Sequence, residues 1–445
     1  MQIAEEVSRA VVTLCTDLRL THVKVLAVHA EEAVKDSDEI VKRQGTRIRF
    51  HNKDMDFMFN WFLGMGSIVG LSHGELFHLV DGMKDGDSGQ WRERFGRHGD
   101  FLGSRAGGGK GPSAAQDRLA AAFCYRAVLQ YSDPTADSFL KTVERMEVEF
   151  LEGTKGLGVP LYAVEVPFAG KTLPGYFLEH DHTPRPLLVM IGGGDSYRED
   201  LFYFGGYPAW RRGYNVLMVD LPGQGNVPSR GLTFRADMAA PISAALDFVT
   251  AQAKCPPEKV AVYGVSGGGY FTGQAAASDP RIGAWIASTP ITDMAEVFRK
   301  EMGATFKAPG WLLRAGLAVA GAVNESAELN LKKYAWQFGT SDYKSAVDQI
   351  FLQARPVHIA SITCPCLFLV GACEADELKR QAMTAFHELK RRGVNVTLRT
   401  FLPEEGGDAH CQVNNFRLVH NVAFDWLDRI VAPPPPKVDP RLLAW

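Results

Sequence analysis

The chain offers no stretch apolar enough to cross a bilayer. Its longest weakly polar segment, Trp311 to Val323, is 13 residues and contains Arg314, where a spanning helix needs roughly 20. That segment reads instead as a buried or pocket-lining helix. An excess of charge is also missing: 48 basic residues face 51 acidic ones, for a net charge of -3, and no basic stripe stands out. Nucleic acid and anionic membrane are therefore not expected as partners. Cysteines are few, odd in number at seven, and scattered, which suits reduced thiols better than a disulfide framework. Cys364-Pro-Cys366 has no second Cys or His pair at zinc spacing, and Gly82 to Gly89 lacks the alternating acidic ligands of a calcium loop. No metal site is expected. The N-terminus opens on acidic residues rather than a basic-then-apolar leader, so the expected location is the cytoplasm.

The 445 residues suggest two or three domains. Up to about residue 150 the apolar residues recur at helical spacing, as in Phe57, Trp61 and Phe62, or Leu119, Ala122 and Phe123. A helical domain is expected over 1–150, with flexible turns such as Gly107 to Pro112. The apolar Val11 to Val28 segment within it points to a homodimer formed through these helices. From about residue 160 the period changes to alternation, and then to short, wholly apolar strands separated by helices: Leu187 to Ile191, Val216 to Val219, Val260 to Val265, Ile282 to Ala287, Leu367 to Val370 and Val394 to Phe401. Such strands imply an α/β fold, a mainly parallel sheet covered on both faces, whose chemistry collects at the strands' carboxyl ends. This domain spans 160–430, with a helical cap insertion at about 290–354 and a proline-rich arm at 431–445.

One of those strands runs into Gly264-Val265-Ser266-Gly267-Gly268, which fits G-x-S-x-G. A serine between glycines at a sharp strand-to-helix turn is lifted off the sheet edge, and the free N–H groups of the following helix point at whatever it attacks. A serine hydroxyl is a weak nucleophile at neutral pH and needs a base, and the base needs an orienting group. His410 is placed for the first task, after the last strand and before the last helix. For the second, Gly371-Ala-Cys-Glu374-Ala-Asp376 follows the preceding strand. Glu374 has the expected register, Asp376 the commoner residue type, and Asp293 follows an earlier strand. The oxyanion donors are expected to be the N–H of Gly267 and those of Gly193 and Gly194, in the glycine run after Leu187 to Ile191. Neither that run nor Asp220-Leu-Pro-Gly-Gln-Gly225 supplies the G-x-G-x-x-G of a dinucleotide fold.

Together these residues resemble the α/β-hydrolase superfamily over about 160–430. More narrowly, Phe57-Met-Phe-Asn-Trp61, Lys84-Asp-Gly-Asp87 with Trp91, Gly192-Gly-Gly-Asp-Ser-Tyr197, Asp220 to Gly225 and Asp408-Ala-His-Cys411 are similar to the group of 2,6-dihydroxypseudooxynicotine hydrolase, the fungal polyketide-shortening hydrolases and the fermentation-respiration-switch-like proteins. Glu374 in place of the usual Asp is a departure. The resemblance implies a serine triad acting without cofactor beneath a helical roof. It also implies a small secondary-metabolite or polyketide-like substrate, cleaved at an ester or at a carbon–carbon bond beside a ketone. Acyl transfer by the same triad and ligand binding without turnover are the alternatives. Expected substrate contacts are Asp195, Tyr270, Trp311 and Trp336, and within the insertion Tyr334 and Phe338 are expected to shape an aromatic pocket with the two tryptophans.

Overall fold

The computed structural model describes residues 42–180, 185–251, 260–302 and 325–435. The Val11 to Val28 segment, Trp311 and the end of the C-terminal arm lie outside the described residues. Among the described residues five helices come first: Lys53–Val69, His73–Val80, Ser88–Ala106, Pro112–Gln130 and Asp137–Gly156. Their starts follow from local chemistry. Asn52 accepts the N–H of Met55, Ser72 and Glu75 form a reciprocal capping box, Asp87 accepts the N–H of Gln90, and Pro112 opens its helix where no N–H is needed. The turn between Gly82 and Gly89 is held by its own acids, since Asp85 accepts the N–H groups of His51 and Asn52. Every residue of the first helix from Met55 to Phe62 is buried, as are Met65 and Val69, so this helix is enclosed on nearly all sides. Trp91 is enclosed by Phe62, Phe95 and Tyr131 and donates its ring N–H to the Ala127 carbonyl at 2.9 Å.

Eight strands follow among the described residues: β1 Leu161–Phe168, β2 Lys171–Leu178, β3 Leu187–Ile191, β4 Asn215–Val219, β5 Val260–Val265, β6 Ile282–Ser288, β7 Cys366–Gly371 and β8 Val396–Phe401. They form one sheet in the order β1-β2-β4-β3-β5-β6-β7-β8. β1 and β2 pair antiparallel, β2 joins β4 antiparallel, and β3 to β8 are parallel. The alternation seen at Tyr162 to Leu178 is the antiparallel hairpin, and the unbroken apolar runs are the strands covered on both faces. Side chains alternate across the sheet. Leu188 and Met190 pack with the five N-terminal helices and the last helix, Phe416–Val431. Leu187, Val189 and Ile191 pack on the other face, with helices Ala239–Ala251, Gly267–Ser278 and Asp376–Arg391. The N-terminal helices and the sheet therefore share one continuous core. Between β6 and β7 lie helices Met294–Met302, Glu325–Phe338 and Tyr343–Gln353, with a small apolar cluster of their own that includes Phe298, Val347 and Ile350.

The segment from Arg198 to Arg211, which reads as one helix, is broken. A π turn over Phe202–Gly206 separates Arg198–Leu201 from Tyr207–Arg211. Close packing explains the break: a Cβ on Gly206 would lie 2.5 Å from the sulfur of Met218, and one on Gly205 2.9 Å from the terminal methyl of Met190.

Candidate active site

β5 ends at Val265 and the next helix starts at Gly267, so Ser266 alone makes the turn, with φ 56 and ψ -126. That backbone is strained for a residue with a Cβ. The flanking glycines make it reachable: a Cβ on Gly264 would sit 2.1 Å from the Gly268 carbonyl oxygen, and one on Gly268 2.3 Å from the Ile191 oxygen. The serine is thus raised at the carboxyl edge of the parallel strands, at the head of a helix whose first N–H groups have no intrahelical partner.

His410 arrives from the far side of the sheet on the loop after β8. Its Nε2 lies 2.9 Å from Ser266 Oγ, and its Nδ1 2.8 Å from Glu374 Oε2. The His410 backbone N–H donates to the Arg43 carbonyl at 2.7 Å, and the ring packs 6.2 Å from that of Phe57, so the helical half of the chain holds the histidine. Glu374 is 1% exposed. The tight turn after β7 folds it back on itself, Oε1 accepting the Gly371 N–H at 2.8 Å. Its Oε2 takes the Thr289 hydroxyl as well as the imidazole. Burial opposes a charge on the His410 ring, but the Cys411 side chain and the Glu374 carboxylate, with their hydrogen bonds, outweigh it. The imidazole pKa is raised above the ordinary histidine value.

Of the carboxylates open in the sequence, the structure brings Glu374 to the histidine and leaves the others aside. Asp376 begins helix Asp376–Arg391 with its side chain 74% exposed and paired to Lys379 at 2.7 Å. Two residues further on, the chain has already turned outward. Asp293 accepts the Glu296 N–H at the start of the helix after β6.

The two glycines expected as donors also part company. Gly193 cannot serve, because its N–H is already given to Ser196 Oγ at 2.7 Å. Its role is steric: a Cβ there would lie 2.8 Å from the Ser266 Cβ and 3.1 Å from Ser266 Oγ. The next residue, Gly194, lies against Gly267. Gln224, in the turn after β4, donates to the carbonyls of Gly192 and Gly193, the latter at 3.0 Å, while its own oxygen accepts the Leu221 N–H at 2.8 Å. Asp195 pairs with Lys333, and its carbonyl accepts from Arg126 at 2.7 Å. Burial works against the Asp195 charge, yet Lys333, Arg43 and Arg126 hold its carboxyl well below the usual carboxylate range.

Ser266 and His410 open into a cavity of about 210 Å³. Its walls are largely apolar and aromatic: Phe57 and Trp61 from the first helix, Phe271 behind the serine, and Phe298, Tyr334 and Phe338 from the helices between β6 and β7. Asp195 and Tyr270 also line it, the Tyr270 hydroxyl donating to the Arg355 carbonyl at 2.7 Å. Trp336 does not. Its ring meets Phe139 edge-on at 5.4 Å and packs toward the N-terminal helices, because on a helix whose Tyr334 and Phe338 face the cavity, position 336 points to the other side. Among the described residues no helix is long and apolar enough to cross a membrane.

Sequence reasoning passed over Thr289, Gln224, Arg126 and Gln337, whose amide donates to the Gly194 carbonyl at 2.6 Å. Only Gln224 had a signal, lying in the Asp220 to Gly225 turn.

Comparison with known proteins gives the same architecture. A model described as an alpha/beta hydrolase family matches residues 188–412, and one described as esterase FrsA-like matches residues 67–271. Hydrolase LUC6 of Fusarium sp is 29% identical over 411 residues, covering 85% of this chain and 97% of that protein. The 20-hydroxy-prefusarin hydrolase FUS2 of Gibberella moniliformis is 29% identical over 421 residues, covering 86% and 98%. The crystal structure of the 2,6-dihydroxy-pseudo-oxynicotine hydrolase is similar with a TM-score of 0.62 at 20% identity, over 85% of this chain and 97% of that one. A serine on a strained turn, eight strands in this order and a family match over half the chain agree: the protein is an enzyme that belongs to the alpha/beta hydrolase family.

Proposed function

We propose that this enzyme is a serine hydrolase that cleaves an ester, or a carbon–carbon bond beside a ketone, in a small apolar secondary metabolite. Ser266 Oγ attacks the carbonyl carbon while His410 Nε2 takes its proton. Glu374 holds the imidazole in the tautomer with its proton on Nδ1 and favours the imidazolium that forms. The N–H groups of Gly267 and Gly194 receive the developing oxyanion, a contribution of about 2.7–4 kcal/mol for a donor of this kind. The tetrahedral intermediate collapses as His410 returns the proton to the leaving group, an alkoxide or the enolate carbon of a departing ketone. Water then repeats the sequence on the acyl-enzyme and frees Ser266.

The observation that carries this reading is the relay Glu374–His410–Ser266, with contacts of 2.8 and 2.9 Å, opening into an aromatic-walled cavity. The substrate class is supported by the names of the relatives: one acts on 20-hydroxy-prefusarin, and one neighbour in structure on 2,6-dihydroxy-pseudo-oxynicotine.

A fluorophosphonate probe tests it. The wild-type enzyme is expected to be labelled stoichiometrically and inactivated, and Ser266→Ala to be neither labelled nor active. Folded wild-type protein that resists the probe would refute the proposal.

A further inference from the structure

The loop that carries Gly194 is three glycines followed by Asp195, a run with no backbone preference of its own. Left alone it would sample many orientations, and an amide that points elsewhere stabilises no oxyanion. In this structure four consecutive carbonyls of that loop each accept a side-chain donor. Gln224 takes Gly192 and Gly193, Gln337 takes Gly194, and Arg126 takes Asp195. A peptide unit is planar, so fixing the carbonyl of one residue fixes the N–H of the next on the opposite side. Gln224 therefore sets the direction of the Gly194 N–H, and Gln337 locks the peptide after it, so that Gly194 is held at both of its ends.

The clamps come from three separate parts of the chain. Gln224 belongs to the turn after β4, Arg126 to helix Pro112–Gln130, and Gln337 to helix Glu325–Phe338 over the cavity. Gln337 is 3% exposed, and its backbone carbonyl accepts the Phe234 N–H at 2.9 Å. Lys333, one turn earlier on the same face, holds the Asp195 carboxylate. The helix thus grips the loop at two successive residues.

We propose that Gln337 is a positioning residue for the oxyanion hole, so that seating of the Glu325–Phe338 helix completes the hole as well as covering the substrate. This rests on the serine-hydrolase reading above.

The test is Gln337→Glu, which keeps every heavy atom in place and puts an acceptor where the donor was, facing the Gly194 carbonyl. With p-nitrophenyl butyrate the expected result is a ten- to hundredfold fall in kcat with KM within twofold, short of the 10²–10³ lost when such a donor is removed outright. Inhibition by an aryl trifluoromethyl ketone, whose adduct places an oxyanion in the hole, should weaken in the same proportion. A wall residue would move KM alone. The proposal is overturned if kcat and trifluoromethyl ketone inhibition both stay within twofold of wild type, or if only KM changes. If the glutamate variant does not fold, Gln337→Met, which removes the donor without adding charge, decides the case on the same constants. Fluorophosphonate labelling of the wild type separates the two readings: no labelling sinks the serine hydrolase itself, whereas labelling with unaffected Gln337 variants sinks only this role.

Discussion

Replacing Glu374 by Gln removes one charge and changes no shape, so its effect is set by the hydrogen bonds around the side chain. The carboxylate faces three donors, the Gly371 N–H at 2.8 Å through Oε1, and His410 Nδ1 at 2.8 Å and the Thr289 hydroxyl through Oε2. An amide has one acceptor oxygen, so it can satisfy one side only. If the oxygen stays on Gly371, the NH₂ meets Nδ1, the ring proton moves to Nε2, and His410 can no longer take the proton of Ser266. Such a wrong tautomer costs about 10⁴ in kcat in a serine protease, or about 5.4 kcal/mol. If the amide flips, the tautomer survives but two buried donors, the NH₂ and the Gly371 N–H, face each other, at about 1–3 kcal/mol. The flipped, reactive form lies only about 1–3 kcal/mol above the unflipped one, so it persists as a minor population and kcat should fall about ten- to hundredfold. The pH profile gives a second check. Glu374 favours the imidazolium, and charges about 4 Å apart at an effective dielectric of 20 interact by about 4 kcal/mol. Removing the carboxylate therefore moves the acid limb of kcat/KM, which reports the free enzyme's base, to lower pH by at least about one unit. Steady-state kinetics from pH 5 to 10 would show both effects, with Asp376→Asn as the control expected within twofold of wild type. The reasoning fails if Glu374→Gln keeps kcat within threefold with its limb unmoved, or if Asp376→Asn takes the loss instead.

Two other residues give further expected outcomes. Gly193→Ala puts a methyl 2.8 Å from the Ser266 Cβ, so its inactivation by a fluorophosphonate should slow at least about tenfold while its melting temperature stays within a few degrees; an unchanged rate would mean the serine is less confined than its geometry implies. His420 bonds the Phe204 carbonyl at 3.0 Å, and burial outweighs this and the Tyr203 carbonyl, pushing its pKa down to about 4. Because the folded value lies below the unfolded one, its contribution to stability is complete above about pH 6.5 and is lost as pH falls through about 4. Urea unfolding over that window should show a decline, at a slope below about 1.4 kcal/mol per pH unit, that His420→Gln flattens.

Much of this was legible before any coordinates. The parallel sheet announced itself because strands covered on both faces are apolar throughout, and Ser266 and His410 stood out because a strained turn needs glycines and the fold fixes the chain order of its site. What stayed hidden depends on angle rather than identity. Glu374 and Asp376 are two residues apart, and which one meets the imidazole is settled by a single tight turn after Gly371. Trp336 looked like a cavity wall because aromatics cluster near it, yet its neighbours at 334 and 338 take that face. Gly193 and Gly194 are indistinguishable until Ser196 claims the first amide. The broken helix did leave a trace, Gly205-Gly-Tyr-Pro208, a breaker signal that the surrounding apolar residues masked. Gln224 and Gln337 act through the backbone they touch, and no spacing in sequence announces a neutral amide that will find a carbonyl over 30 or 140 positions away.

Arg126 crosses from the helices that precede the sheet to Asp200 at 2.8 Å, with both side chains sealed from water. A chain begun at Pro160 would take the guanidinium from Asp200 and leave the sheet's aromatic face stripped bare beside it. The back half is therefore no minimal enzyme to be excised or grafted. When segments are exchanged between this protein and a relative, the guanidinium and its acid have to travel together, and a chimera joined between them inherits a fault that no change near the serine will repair.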